Sequence, residues 1–418
     1  MGYQENKKIT NPAMIDPPAQ AKPPDLRVRW EGLFWKHSSL AHVNREICRL
    51  LCDTPQVELS FVDTRTSSDF DPTADNRLSS LFSRGSHPLS GPADIHVKQD
   101  FPPQMTRVRE GRFALMQPWE FGYLPYEWVE PIIQNVDEVW CNSHFVRTVY
   151  ANSGIPEDRL QLIPLGIDPA VFHPGAPTPD IPGVDNIVSR LKDKFVFIYV
   201  GGTIVRKGFD TLLAAYTSEF TRKDNVVLLI KDHATRSIYS KITSKAKIAH
   251  VMRDESQPDI LYLDDEYPPD VLAGIFCMAN CSVHPYRAEG FCLPALEAMA
   301  CGVPVAATAG GPTDDFVDDT TGWRIPSKVR DFSEAVCGYN TFAGPASVLK
   351  VEVDDLACQM RSIYNNPSEA AEKGRRAAAR AANWTWQHTA DRVTERMRVM
   401  RDTPRRIRGM ASQWVKPQ

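Results

Sequence analysis

The chain alternates short apolar runs with segments in which apolar residues return every three or four positions. Residues 26–30 alternate apolar and polar side chains as a half-buried strand does, and the apolar residues from Leu40 to Leu51 then recur at helical spacing. Strands that alternate with helices favour a parallel, doubly wound sheet. Further strands of this series are predicted at residues 57–62, 113–116 and 138–141, with Ser143 placed to cap a helix through Tyr150.

A second series of the same kind begins at residue 195. The uninterrupted apolar run 195–200 is typical of a strand buried on both faces, and a helix is predicted over residues 210–216 after a glycine turn. The sequence therefore predicts an α/β fold with two Rossmann-like domains. The other strands of this series are predicted at residues 226–230, 260–263, 281–283 and 303–306.

Proline-rich stretches separate these parts of the chain. Between Pro164 and Pro182 there are six prolines and two glycines, a concentration that neither a helix nor a central strand tolerates. Residues 1–25 hold five prolines and few large apolar side chains, so we expect a disordered leader there. The predicted units are an N-terminal domain at 26–168, a linker at 169–190, a C-terminal domain at 191–382, and a final helix with a basic tail at 383–418.

Composition narrows the class of protein. The 48 Lys and Arg residues against 52 Asp and Glu give a formal net charge of −4, so no bulk basic field would attract nucleic acid. No stretch approaches 18 consecutive apolar residues, so neither a membrane span nor a signal peptide is expected. The nine cysteines include no Cys-x-x-Cys pair, and we interpret them as free thiols in a reducing cytoplasm.

The segment with the clearest candidate chemistry runs from Arg287 to Gly302. A strand ends just before it, Pro294 suits a first helical turn, and Gly302 suits the position after a helix. The loop must therefore lie at a helix N-terminus, where unpaired amides and the helix dipole favour a phosphate. Glu289 in the loop and Glu297 in the helix could hold hydroxyl groups of a sugar and a ribose.

Residues 289–305, Glu-Gly-Phe-Cys-Leu-Pro-Ala-Leu-Glu-Ala-Met-Ala-Cys-Gly-Val-Pro-Val, resemble the signature of family-4 retaining glycosyltransferases of the GT-B fold. The resemblance covers about residues 130–395. It includes a glycine turn with Arg206 and Lys207, and Trp384-Thr385-Trp386, where the family's chain crosses back to the first domain. It implies two Rossmann-like domains facing each other across a cleft, and a transferase that moves a sugar from a nucleoside diphosphate donor with retention of configuration.

The resemblance also implies roles for individual residues. Glu297 would hold the donor ribose, Glu289 would bind the transferred sugar, and Lys207 would stabilise the departing diphosphate. Such charge stabilisation is what glycosyl transfer needs as the anomeric carbon becomes cationic, and cations can supply it without a metal or another cofactor. The remaining donor-side residues are Gly290 and Phe291, through their amides, with Cys292, Gly202 and Thr203.

The chain departs from the family pattern at two places. Gly202-Thr203 stands where the family usually has an Arg, and Arg206 is the substitute that we assign to the site. Many relatives have a His near the reacting sugar, where this chain has Glu120 in an aromatic-rich loop. The analogous phosphate-side loop of the first domain contains Gly32.

Several alternatives remain open at this point. A nucleotide-sugar epimerase or a phosphorylase could use the same fold, and so could a degenerate sugar-binding protein. The acceptor could be a glycan, a lipid-linked sugar or a small molecule. Asp69-Phe70-Asp71, a single Asp-x-Asp, is assigned to a surface loop rather than to a metal site. The arginines between Arg392 and Arg408 could contact an anionic membrane, pair with acids of the first domain, or form a solvated face.

Overall fold

The computed structural model describes residues 24–65, 70–71, 75–84, 87–179, 181, 187–235, 239–332 and 335–404. Predictions for most of the leader, for Asp69, for part of the linker and for the tail beyond residue 404 lie outside the described residues.

The N-terminal unit is built on a parallel sheet of six strands. Each strand that the sequence predicts here is present, and the structure adds β3 and β6, which were not predicted. The strand order is β2-β1-β3-β4-β5-β6. The chain adds β2 on one side of β1 and β3 on the other, so the strand order reverses between β1 and β3. The strands are β1 Leu26–Gly32, β2 Val57–Asp63, β3 Ile95–Gln99, β4 Arg112–Leu115, β5 Glu138–Cys141 and β6 Leu160–Leu162.

Two serines start helices of this unit, and Ser143 does so as its position predicts. The Ser38 hydroxyl accepts a hydrogen bond from the Ala41 amide at 3.3 Å, and the Ser143 hydroxyl accepts one from the Val146 amide at 3.2 Å. Each cap satisfies an amide that the first helical turn leaves unpaired. The helices are α1 Ser39–Cys52, α2 Ser79–Arg84, α3 Tyr126–Asn135 and α4 His144–Asn152.

The C-terminal unit repeats the architecture. Its parallel sheet has the order β12-β11-β10-β7-β8-β9, and the strand order reverses between β7 and β10. Every residue of β7 and β8 is buried because helices cover both faces of the sheet. The strands are β7 Phe195–Gly201, β8 Val226–Asp232, β9 Asp259–Leu263, β10 Cys281–His284, β11 Val305–Thr308 and β12 Gly322–Ile325; the helices are α5 Ile187–Leu191, α6 Phe209–Glu219, α7 Lys245–Arg253, α8 Pro269–Cys277 and α9 Leu293–Ala300.

The strand predicted at 303–306 begins two residues later, after Pro304, which has no amide to donate to a neighbouring strand. An antiparallel hairpin that the sequence did not predict follows the second sheet, with β13 at Lys328–Asp331 and β14 at Ser347–Lys350. The helices α10 Val353–Asn365, α11 Pro367–Ala381 and α12 Trp386–Asp402 complete the described chain.

The last helix returns to the N-terminal unit, as the resemblance implies. The break between α11 and α12 pairs with Ile167, whose amide donates to the Trp384 carbonyl at 2.9 Å and whose carbonyl accepts from the Trp386 amide at 3.0 Å. Further along α12, Arg396 forms an ion pair with Glu138 at the start of β5. No helix in the described part of the chain is long and apolar enough to cross a membrane.

The two sheets point their carboxyl ends at each other. Loops after β4 and β5 of the first sheet contact loops after β7, β10 and β11 of the second. Doubly wound sheets bind ligands at their carboxyl ends, where the strand order reverses. In the C-terminal unit, a ligand is therefore expected at the loops after β7 and β10.

Candidate functional site

The loops after β7 and β10 are in direct backbone contact. Gly208 has φ +70°, and a Cβ atom there would lie 1.8 Å from the Pro285 carbonyl oxygen, so only glycine fits this position. The Arg206 carbonyl oxygen accepts hydrogen bonds from the Arg287 and Ala288 amides at 2.9 and 3.2 Å. This contact places Arg206 and Lys207 beside the loop that carries Glu289.

Four charged side chains meet at this contact. Lys207 donates to a carboxylate oxygen of Glu289, and Arg206 Nη1 lies 3.7 Å from the other oxygen. Arg206 Nη1 also lies 3.4 Å from Glu120 Oε1 and donates to the Ala288 carbonyl at 2.8 Å. Because Glu120 comes from the N-terminal unit, this charge cluster (Arg206, Lys207, Glu120 and Glu289) spans the cleft.

The charged groups in the cluster shift one another's pKa values. Burial by itself would raise the pKa of Glu289, but Lys207 and Arg206 outweigh it and hold that pKa below its usual value. Burial raises the pKa of Glu120, and the attraction of Arg206 only partly opposes the rise. Burial disfavours the charge of Arg206, yet Glu120 and Glu289 keep its pKa above the ordinary range. Glu289 is therefore the more firmly ionised carboxylate of the two.

Arg287, which the sequence analysis did not assign to the site, holds the loop of the cluster in place. Its guanidinium binds both carboxylate oxygens of Asp210 on α6, at 2.6 and 2.9 Å, and donates to the Val205 carbonyl at 2.6 Å. A planar guanidinium held by two parallel bonds has little freedom to move. The loop after β10 is thereby fixed to the turn that presents Arg206.

The start of α9 lies across the same loop. Cys292 has φ +67° and ψ +59°, a left-handed conformation that begins the helix. The Gly290 carbonyl accepts a hydrogen bond from the Ser143 hydroxyl of the N-terminal unit at 2.8 Å, and a Cβ at Gly290 would lie 2.8 Å from Pro118 Cβ. The Phe291 ring is buried in the core, so only the backbone of this residue is placed to meet a ligand.

Glu297 lies on α9 and is buried, with 7% of its surface exposed. Among the residues that the structure describes, none donates a hydrogen bond to its carboxylate or pairs with it. Burial alone raises its pKa to about 8. This carboxyl group is therefore available to accept hydrogen bonds from a ligand.

Two of the predicted donor-side residues have other partners. The Thr203 hydroxyl donates to Asp232 Oδ2 at 2.6 Å and is fully buried. The Gly202 carbonyl accepts from the Tyr199 hydroxyl at 2.7 Å, and a Cβ at Gly202 would lie 2.9 Å from that of Ala234. These contacts shape the base of the loop after β7, and the structure does not bring the Thr203 hydroxyl to the charge cluster.

Gly32 ends β1 and packs tightly against its neighbours. A Cβ there would lie 2.3 Å from the Gln99 carbonyl oxygen and 2.5 Å from Asn44 Nδ2. Asn44 in turn accepts a hydrogen bond from the Trp30 indole at 2.7 Å. The contacts of Gly32 are thus with α1, β2 and β3, not with the charge cluster.

Two histidines at the carboxyl edge of the second sheet, the buried His284 and the half-buried His233, were not identified in the sequence analysis. Burial together with nearby Lys207 lowers the pKa of His284 to about 3, and burial with Lys231 and Lys207 does the same for His233. Both rings are neutral at physiological pH. His284 Nε2 lies 2.8 Å from the Ser282 hydroxyl. In the described parts of the chain, no three His, Cys, Asp or Glu side chains are grouped so that they could hold a metal ion.

Residues 185–337 match the family model described as Glycosyl transferases group 1. The match spans both strand ends that carry the charge cluster in the C-terminal unit, together with Glu297. Residues 185–337 are thus similar to a glycosyl transferases group 1 domain, which confirms the resemblance seen in the sequence for this part of the chain. The two facing six-stranded sheets agree with the GT-B fold that the resemblance implies.

Curated relatives of the group 1 domain are distant. The D-inositol 3-phosphate glycosyltransferase of Kribbella flavida is 26% identical over 283 residues, which are 66% of this chain and 59% of that protein. The MMP alpha-(1->4)-mannosyltransferase of Mycolicibacterium hassiacum is 21% identical over 324 residues, 76% of this chain and 68% of that protein. The chain thus spans between about half and two thirds of the length of the curated relatives that it matches.

Solved structures match the whole architecture. Anabaena HepE in complex with UDP and glucose superposes with a TM-score of 0.60 at 12% identity, covering 90% of this chain and 100% of HepE. Sucrose-phosphate synthase from Thermosynechococcus elongatus gives a TM-score of 0.61 at 16% identity, covering 90% of this chain and 99% of that chain. At such identities the likeness is one of fold.

Proposed function

We propose that the protein is a glycosyltransferase that moves a sugar from a nucleoside diphosphate sugar to a hydroxyl group of an acceptor, with retention of configuration. The observation that carries this proposal is the charge cluster. It sets two cations beside a loop and a helix N-terminus, at the place where the sheet order reverses. The group 1 match and the named transferases among the relatives support the same activity.

In this proposal the cations receive the diphosphate. As the bond between the anomeric carbon and the phosphate oxygen breaks, its electron pair stays on that oxygen, and Lys207 and Arg206 stabilise the new charge. Lys207 must then exchange its bond to Glu289 for one to phosphate, which leaves Glu289 free to accept a hydrogen bond from the sugar. The backbone amides at Gly290 and Phe291 contribute from the start of α9.

Glu297 receives the nucleoside part of the donor in the same arrangement. Its carboxyl group is buried and has no protein partner among the described residues, and ribose hydroxyl groups would supply the missing hydrogen bonds. Gly202 and Thr203 contribute through the shape of their loop, because the Thr203 hydroxyl already binds Asp232. Neither a metal ion nor a further cofactor is required by this assignment.

Three arginines of α12 pair with acids of the N-terminal unit, which is one of the alternatives that the sequence left open, and a fourth donates to a backbone carbonyl there. Arg396 pairs with Glu138, Arg398 and Arg401 pair with Asp25 at 3.2 and 2.9 Å, and Arg392 donates to the Leu162 carbonyl at 2.8 Å.

Thermal unfolding with candidate donors tests the proposal. A donor that binds only the folded state stabilises it by mass action, so at a concentration of about 100 Kd it should add about 2.7 kcal/mol and raise Tm by several degrees. We expect one of UDP-glucose, GDP-mannose or a dTDP-sugar to do so, with the matching free sugar as the inactive control. No shift with any nucleotide sugar would count against a donor site.

A product assay separates the remaining alternatives. With a stabilising donor and D-inositol 3-phosphate or another polyol as acceptor, a transferase releases the nucleoside diphosphate and forms a glycoside. An epimerase would return an altered nucleotide sugar, and a phosphorylase would need phosphate. A degenerate binding protein would give no product.

Activity is expected to persist in excess EDTA. Lys207 and Arg206 already place two positive charges where the leaving diphosphate would lie, so a divalent cation has no further role in this site. Turnover measured with EDTA in large molar excess over the enzyme should equal the rate of the untreated enzyme. Lost activity that Mg²⁺ or Mn²⁺ restores would contradict this expectation.

A further inference from the structure

The segment between β13 and β14 leaves the C-terminal unit and lies on the N-terminal unit. We call its described part, Phe332 and residues 335–346, together with Ser347 at the start of β14, the strap. Three backbone hydrogen bonds join it to the loop and helix that follow β4. The Ala343 amide donates to the Leu124 carbonyl at 2.9 Å, the Tyr126 amide to the Thr341 carbonyl at 3.0 Å, and the Ser347 amide to the Phe121 carbonyl at 3.1 Å.

Aromatic rings fill the contact between the strap and this loop. Trp119 and Trp128 are each 1% exposed, and their rings lie 5.8 and 5.4 Å from the Tyr339 ring, both edge to face. The Phe342 ring lies 6.3 Å from that of Trp119. Phe332 makes a further edge contact with Phe121 at 5.9 Å. Ring pairs of this geometry contribute stability beyond the area that they bury.

Two glycines allow the backbones to approach this closely. A Cβ at Gly344 would lie 2.4 Å from the Tyr123 ring, and a Cβ at Gly122 would lie 2.3 Å from the Ser347 hydroxyl. The strap and the loop therefore fit each other without room for an additional atom at either position. Such close packing allows one arrangement rather than several.

Glu120 stands in the middle of this loop, between Trp119 and Phe121. Both neighbours contact the strap, and the Glu120 carboxylate faces Arg206 at 3.4 Å on the other side of the cleft. Arg206 and the strap belong to the same unit. The C-terminal unit thus holds the Glu120 loop at two points, by the guanidinium and by the aromatic contact.

We propose that the strap positions the Glu120 loop against Arg206 and Glu289, and thereby fixes the acceptor side of the reaction centre. This inference rests on the proposed function for its catalytic part, while the positioning itself is a structural claim. Near the tip of the strap, burial raises the pKa of the Cys337 thiol, Glu120 adds to the rise and Arg206 opposes it, which agrees with a strap that lies close to both charges. Tyr339, Phe342 and Phe332 are positioning residues in this scheme.

The double variant Tyr339→Ala/Phe342→Ala tests the structural claim without any substrate. Removing both rings frees the loop, so amide hydrogen exchange over residues 119–126 should become at least about tenfold faster, as expected when a local opening free energy falls by about 1.4 kcal/mol. Exchange in β8 should stay as in the wild type. Unchanged exchange in the loop would overturn the proposal.

Steady-state kinetics test the catalytic part with the donor and acceptor pair that gives product. We expect kcat/KM for the acceptor to fall at least about tenfold in the double variant, while the donor Kd stays within about twofold, because donor contacts lie in the C-terminal unit. Tyr339→Phe keeps the ring and should retain wild-type values. An equal loss of donor binding, or unchanged acceptor kinetics, would overturn the positioning role.

Val329→Ala is the matched control. Val329 lies in β13, on the same hairpin, but it is 66% exposed, unlike the rings packed between the two units. Both exchange and kinetics should match the wild type. If the wild type itself transfers no sugar, the proposed function fails, and hydrogen exchange still decides whether the strap holds the loop.

Discussion

Replacing Lys207 with alanine is expected to lower kcat about a hundredfold. Its ammonium group is the cation that holds Glu289, and it lies where the departing diphosphate would gain charge. Removing one preorganised donor to a developing oxyanion costs about 10²–10³ in kcat. Steady-state turnover with saturating donor and acceptor measures the effect. Arg206 remains and retains part of the stabilisation, so the loss should be less than complete.

Lys194→Ala serves as the control for this prediction. Lys194 precedes β7, at the opposite end of the strand that leads to Lys207, and it too is a half-buried lysine in an ion pair, with Asp259. A general loss of a charge pair in this sheet would affect both variants alike. Wild-type turnover in Lys207→Ala, or equal losses in the two variants, would exclude a direct role for Lys207.

Those parts of the fold with strong local patterns were predictable from the sequence. The apolar runs of β7 and β8 and the serine cap of α4 appear as expected, because burial and capping act over a few residues. β3 was missed because its five buried residues include His96, Lys98 and Gln99, which do not form an apolar run. β6 has only three residues, too few for a period to be visible.

The site was predictable to a similar extent. The structure brings Arg206, Lys207, Glu289 and Glu120 together, but their spacing along the chain says nothing about the ion pairs that join them. Thr203 was assigned by its place in the glycine turn, and its actual partner, Asp232, lies at the end of another strand.

The strap illustrates a limit of another kind. The rings of Tyr339 and Phe342 contact those of Trp119 and Trp128, which are more than two hundred residues away in the sequence. No local pattern encodes such a contact, because the aromatic residues on either side are equally consistent with separate cores. Only the facing arrangement of the two sheets brings them together.

Replacing Glu297 with glutamine is expected to weaken donor binding about tenfold and to change how stability depends on pH. In the folded protein burial raises the pKa of Glu297 to about 8, above the ordinary value of 4.5. Between these two values the folded state keeps the proton that the unfolded state has lost. Wild-type stability should therefore fall as pH rises from about 5 to 8, by up to about 1.4 kcal/mol per pH unit, with the full penalty present above pH 8.

Glutamine cannot ionise, so the variant lacks this penalty. Chemical denaturation at pH 5, 6.5 and 8 should show the variant gaining stability relative to the wild type as pH rises, while calorimetric titration at the same pH values reports weaker donor binding.

Glu372→Gln on α11 is the control, because that side chain is 41% exposed and pairs with arginines at the surface. Its stability relative to the wild type should not rise over the same range, and its donor affinity should be unchanged. The two readouts of Glu297→Gln separate burial from function. A pH-dependent gain in stability without any loss of donor affinity would leave Glu297 as a buried acid with no place in the donor site. Lost donor affinity with a flat difference in stability would mean instead that the carboxyl group binds donor but ionises freely before the donor arrives. Only the combination of both effects fits a carboxyl group whose missing hydrogen-bond partners are supplied by the donor.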